Sequence, residues 1–151
     1  MALTMNGEVA LAAHQTVVWQ KLNDPDVLKA CIPGCESLEK LSETTFQAVA
    51  KLKIGPVSAT FKGRVELSDI DAPNGYTISG EGQGGIAGFA KGGAKVRLQP
   101  NGDTTTMIYE VEAQVGGKIA QLGARLVDGV AKRMADQFFE RFAQQVQGDS
   151  A

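Results

Sequence analysis

The residues with chemistry to offer are few, and their spacing limits what each can do. Cys31-Ile32-Pro33-Gly34-Cys35 puts three residues between two thiols. A redox dithiol uses two, and a zinc site needs further Cys or His ligands that the chain does not supply nearby. The segment reads as small buried residues flanking a Pro-Gly turn, with a local disulfide or an oxidation-sensitive thiol as the remaining alternatives. His14 is the only histidine. No Ser, Cys or carboxylate pairs with it in the sequence, so it reads as a helix-entry residue rather than a general base. Asp69 and Asp71 stand at a strand end before a turn and read as solvated carboxylates, not an acid/base pair. Gly80-x-Gly82-x-x-Gly85 has the letters of a dinucleotide fingerprint, but strand-like sequence follows where the fingerprint needs a helix. Lys51, Lys53, Lys62 and Arg64 cluster across one hairpin, usually a wet face, with an acidic partner or anionic lipid as the alternative. Tyr109 is the one obvious inward candidate for a polar role. No triad, metal cluster or carboxylate dyad emerges, so the expectation is a binder: no catalytic residue, no metal and no covalently bound cofactor.

The elements that would position these residues follow from periodicity. From Thr45 to Ile54, Phe46, Ala48, Ala50, Leu52 and Ile54 share one face, and Gln47, Lys51 and Lys53 take the other. Gly55-Pro56 turns the chain, and Ala59, Phe61, Val65 and Leu67 then alternate with Ser58, Thr60, Lys62, Arg64, Glu66 and Ser68. Similar alternation marks strands through Tyr76 and Ile78, through Ala94, Val96 and Leu98, from Met107 to Val115, and at the N-terminus through Leu3, Met5, Val9 and Leu11. A period of two with one apolar face is the mark of an antiparallel sheet that is dry on one side and wet on the other. After the first strand, Val17, Val18, Trp19 and Leu22 suggest a short helix, and Asp24-Pro25 caps another that carries Val27 and Leu28. A long helix is expected from about Gly117 to about Gln147. On it Ile119, Leu122, Gly123, Leu126, Val130 and Met134 share one arc, while Phe138, Phe139, Phe142 and Val146 lie on another. The first half should cover the sheet and the second half should pack elsewhere, against the short helices, with Gly129 as the bend. The fold class is α+β: an antiparallel six- to seven-stranded sheet wrapped around a long C-terminal helix, with two short helices after the first strand.

Composition suits this. The chain has 151 residues, 43% of them hydrophobic and 21% charged, enough for one core without disulfide staples. We expect one domain over 1–147 and a short polar tail over 148–151. A formal net charge of -2 argues against nucleic acid as a partner. The N-terminus lacks the pattern of a signal peptide and no apolar run approaches the ~18 residues of a membrane span, which points to the cytoplasm.

Glycine is the unusual residue: 18 of 151, with seven between Gly80 and Gly93. Alternation turns Gly63, Gly80, Gly82 and Gly92 inward. Missing side chains there let the strands bend around a helix, leave volume for a ligand, or do both. A cavity so lined suits a hydrophobic small molecule. The expected lining is Phe61, Ile78, Gly82, Phe89, Met107, Tyr109, Leu122, Leu126 and Val130.

Three segments carry a resemblance: Ala30 to Leu38 with its Cys-Ile-Pro-Gly-Cys centre, Gly80 to Gly92, and Ala113 to Gly123. With Leu22 to Pro25 and Lys53 to Val57, they resemble the CoxG family of carbon monoxide dehydrogenase subunits, within the START-like (SRPBCC) helix-grip superfamily. The resemblance covers nearly the whole chain. It implies a non-catalytic accessory protein of a molybdenum hydroxylase system, holding a quinone or lipid and helping to couple or recruit the enzyme to the membrane. Molybdenum hydroxylase subunits are the implied protein partners, and a homodimer is compatible with it. Relatives on the same fold include cyclases and hydrolases, so a small enzyme is one alternative, and a pure assembly adaptor without ligand is another. Some family members continue into a membrane segment. With Gly148-Asp149-Ser150-Ala151 at the end of this sequence, the expectation is a peripheral contact at the inner face of the membrane, through the ligand or a partner.

Overall fold

The computed structural model describes residues 1–149. Among them, seven strands form one antiparallel sheet: β1 (Ala2–Leu11), β2 (Cys35–Lys40), β3 (Thr45–Ile54), β4 (Val57–Asp71), β5 (Gly75–Gln83), β6 (Phe89–Asn101) and β7 (Thr104–Gly116). The order across the sheet is β1-β7-β6-β5-β4-β3-β2. Strands β2 to β7 are a meander, whereas β1 pairs with the last strand, Ala2 opposite Gln114. Helices α1 (Gln15–Leu22) and α2 (Pro25–Cys31) fill the link between β1 and β2, and α3 (Lys118–Gln121) and α4 (Ala124–Asp149) follow the sheet. Of the expected polar tail, Ser150 and Ala151 lie outside the described residues.

Local chemistry explains most of these boundaries. The Asp24 carboxylate accepts from the Asp26 N–H at 2.9 Å, and Pro25 occupies the first turn of α2 where its missing N–H costs nothing. His14 stands at the N-cap of α1 without a side-chain cap, and its carbonyl accepts from Val18. The Gln15 amide donates to the Leu98 carbonyl at 3.2 Å, and the buried Thr105 hydroxyl donates to the Ala13 carbonyl at 2.8 Å. These two bonds fasten the start of α1 to β6 and β7.

Two boundaries differ from the periodicity. The helix expected from about Gly117 is interrupted: Gly123 has φ +95°, which ends α3 and lets α4 begin afresh at Ala124. The discontinuity is therefore at Gly123 and not at Gly129, which lies inside α4. Periodicity does not locate strand β2, because Glu36, Glu39 and Lys40 blur its alternation. It is an edge strand held by β3, with Leu38 opposite Ala48, and its charges discourage pairing with another chain.

The core is in two parts. One gathers Leu11, Val18, Leu22, Val27, Cys31, Phe46, Leu67, Tyr76, Val96, Leu98, Met107, Phe142 and Val146, with Phe138 and Phe139 against it. The other gathers Ile54, Phe61, Ala87, Val115, Ile119, Val127 and Val130, with Leu122 and Met134 against it. Helix α4 thus serves both, its first half in one cluster and its phenylalanines in the cluster that holds α1 and α2. The rotation of its apolar arc has this cause.

Candidate functional site

The inner face of the sheet between the two clusters is built from very small residues. In one row Val65 stands opposite Gly80, Gly80 opposite Gly92, and Gly92 opposite Ala113. In the next, Ala48, Gly63, Gly82, Ala90 and Val115 follow one another across β3 to β7. Facing strands carry Phe61, Leu67 and Val96 at positions of the same parity, so these glycines point toward α4 as expected. Over the same stretch α4 has the half-buried Ala131 and Ala135.

The two roles weighed for inward glycine are divided between positions. A Cβ on Gly92 would collide with the Glu112 carbonyl, and one on Gly63 would come within 2.9 Å of the Glu81 carbonyl. Those two glycines permit close strand approach. A Cβ on Gly82 would meet nothing nearer than two carbonyl oxygens at 4.0 Å. Gly82 therefore leaves room.

Of the nine expected lining residues, all but Phe89 fall on the inner face of the sheet or on the helical region that packs against it. Phe61 and Val130 are buried in the second cluster, with Leu122 packed against it. Ile78 is half-buried at the margin of the first cluster. Tyr109 lies across Gly7 and stacks on Phe139, centroids 4.7 Å apart. Leu126 covers Gly55, its Cδ2 2.7 Å from where a Cβ would sit. Met107 is 2% exposed and filled in on all sides by the first cluster. Phe89 does not line the inner face: strand alternation turns its neighbour Ala90 inward, so Phe89 is on the outer side, 36% exposed over Gly116. Gly82 sits between the groups.

Two concavities were not legible in the alternation. The larger, about 890 Å³, is on the outer face of the sheet, floored by Ser79, Gly80, Gly92 and Gly93 and walled by Arg64, Glu66, Glu81, Lys91, Lys95, Glu110 and Glu112. None of the nine lines it. The smaller, about 230 Å³, opens between β3 and α4 and is lined by Gly34, Lys51, Leu52, Lys53, Val130, Arg133, Met134 and others. It lies beside the second cluster, whose Val130, Leu52 and Met134 form part of its wall.

Electrostatics on the inner side is quiet. Among the described residues the buried polar side chains are Thr45 and Thr105, and no charged one is buried. Burial raises the Tyr76 phenol pKa, and its hydroxyl donates to the Leu22 carbonyl at 3.3 Å. Both cysteines are free. Burial raises the Cys31 thiol, with Arg141 opposing, and raises Cys35, with Lys29 opposing. Thiols so shifted stay protonated near neutrality and are weak nucleophiles. Among the described residues no cluster of three His, Cys, Asp or Glu is placed to hold a metal, and Asp69 and Asp71 are exposed.

This fold, a seven-stranded antiparallel sheet with one long C-terminal helix, has known counterparts. The sequence profile of CoxG, described as a carbon monoxide dehydrogenase subunit, matches residues 7–147. The chain belongs to the CoxG family. A conserved protein from Geobacillus kaustophilus, 35% identical, superposes with a TM-score of 0.91 over 97% of this chain and 96% of that one. A START superfamily protein from Mycobacterium smegmatis, 14% identical, gives 0.73 over 96% and 97%. The Zhui aromatase/cyclase from Streptomyces sp. R1128, 13% identical, gives 0.70 over 97% and 94%. The last two show the fold alone: START-like. No curated protein matches the chain by sequence.

Proposed function

We propose that this CoxG-family protein is a non-catalytic accessory to a molybdenum hydroxylase of the carbon monoxide dehydrogenase type. It holds a quinone or another lipid-like molecule between α4 and the inner face of the sheet and couples the enzyme to the membrane. One observation carries the reading: the core falls into two clusters, rows of inward glycines lie on the sheet between them, and a Cβ on Gly82 would meet nothing nearer than 4.0 Å. The clusters offer dispersion contacts and no charge, which suits an uncharged apolar guest. Tyr109 adds a stacked ring and a phenol at one margin.

The test is protein purified without detergent, extracted with organic solvent and analysed by mass spectrometry. An isoprenoid quinone or lipid at near-stoichiometric yield is the expected result. Empty protein that also fails to bind added quinone or a fluorescent fatty acid overturns the reading. The outer groove, with charges of both signs, favours a second reading, an assembly adaptor that docks a partner protein through its polar face. In that case Gly82→Leu, which fills the gap, leaves association with the partner enzyme unchanged.

A further inference from the structure

Three turns meet at one end of the molecule, beneath which the second core cluster lies. Gly88 packs so closely on the segment after β7 that a Cβ there would collide with the Gly116 carbonyl. Gly84 lies against the Phe61 ring, and Gly55 lies under Leu126 at the start of α4. The β3–β4 turn, the β5–β6 loop and the α3 region are thereby neighbours. From them one apolar side chain projects: Ile86 is 87% exposed, on a loop whose Gly84, Gly85 and Gly88 offer it no shielding, while Ala87 beside it is 3% exposed and anchors the loop. Charge at this end is predominantly positive. Residues 52–57, 83–91 and 115–127 carry Lys53, Lys91, Lys118 and Arg125, all exposed, in a chain of net charge -2. The acids beside them are Glu81, opposite Lys91, and Asp128, one turn beyond Arg125. The opposite end holds Glu43, Asp69, Asp71 and Asp103.

We infer that this end is a membrane-docking surface for bilayers with anionic headgroups: Ile86 enters the boundary between headgroups and acyl chains while Lys53, Lys91, Lys118 and Arg125 reach phosphate. The inference deepens the membrane half of the proposed function and rests on it. A single projecting apolar residue with cations spread over three turns suits a fluid, diffusely charged surface, whereas a folded protein partner needs contiguous matched area. Docking in this orientation sets the turns that cover the second core cluster against the lipid.

The test is flotation of the whole protein with vesicles of phosphatidylcholine alone or of phosphatidylcholine with phosphatidylglycerol, neither containing quinone. Binding to the anionic vesicles, declining with salt, is expected. Ile86→Ser should weaken it about tenfold. Lys118→Gln and Arg125→Gln should each weaken it about fivefold. Lys40→Gln, at the other end, should bind as the unaltered protein does. Unchanged thermal melting of these exposed-site variants confirms that they fold. Equal partition onto neutral vesicles, no binding to anionic ones, indifference to Ile86→Ser, or binding to polyglutamate in place of vesicles would each overturn the inference. Because the vesicles lack quinone, failure here leaves ligand carriage standing, and an empty gap leaves vesicle binding unaffected.

Discussion

Tyr76 puts a hydroxyl among apolar neighbours, its ring 5.3 Å from that of Trp19, and a single carbonyl at the end of α1 satisfies it. Removing the hydroxyl leaves that carbonyl without its partner, so Tyr76→Phe should cost about 1 kcal/mol near neutral pH. The cost should vanish in alkali. Burial raises the folded phenol above the ordinary value of about 10, so the unfolded chain ionises first. The stabilisation is fully present below about pH 10 and is lost as pH rises toward the folded value. Urea midpoints measured across that range should fall more steeply for the unaltered protein than for Tyr76→Phe, and parallel curves would refute the assignment. Alternation alone turns Tyr76 inward. Its bond to Leu22 spans 54 positions in the sequence, a distance no local pattern reports.

At the scale of elements, glycine makes opposite demands in one helical region. Gly123 needs φ +95°, so Gly123→Ala should destabilise by about 1–2 kcal/mol. Gly129 is exposed inside α4 with nothing within 4 Å of its would-be Cβ. Gly129→Ala should therefore stabilise by about 1 kcal/mol. Thermal melts of the two variants should shift in opposite directions. The apolar arc from Ile119 to Val130 runs through Gly123 without a fault, so periodicity places a continuous helix where the backbone breaks. The sheet offers a matching pair. Gly92→Ala collides with the backbone of β7 and should lower the melting temperature, whereas Gly82→Ala meets nothing nearer than 4.0 Å and should melt normally. Gly82→Leu, which reaches further into the proposed site, should lose binding of a hydrophobic probe. Alternation identifies both as inward. Which one is cramped and which is open depends on strand approach, and that is set by the sheet's accumulated twist.

For the molecule as a whole, the divided core implies unequal stability. The first cluster holds Phe142, Leu11, Met107, Val18, Val146 and Cys31 with 2% exposure or less, and no member of the second is so deeply buried. Amides of α3 and of the first turns of α4 should exchange through smaller openings than those near Val96, Leu98 and Met107. Hydrogen exchange showing uniform protection would contradict this. The element order and the wet and dry faces were readable because a period of two needs no tertiary information. The outer groove was not, since concavity on a polar face comes from the rotation of strands against one another and leaves no mark in their residues.

The pairing of Ala2 with Gln114 also has a consequence in time. Of the seven strands, β1 is made first and its partner β7 is made last. Until β7 emerges, Leu3, Met5, Val9 and Leu11 have no sheet to join, and the loop to be closed spans most of the chain. A nascent chain therefore keeps an apolar ribbon waiting while the other five strands are made. Pulse-labelling during refolding should find β1 the last strand to gain protection, and the polar Asn6 and Glu8 on its outer face help keep the waiting ribbon soluble.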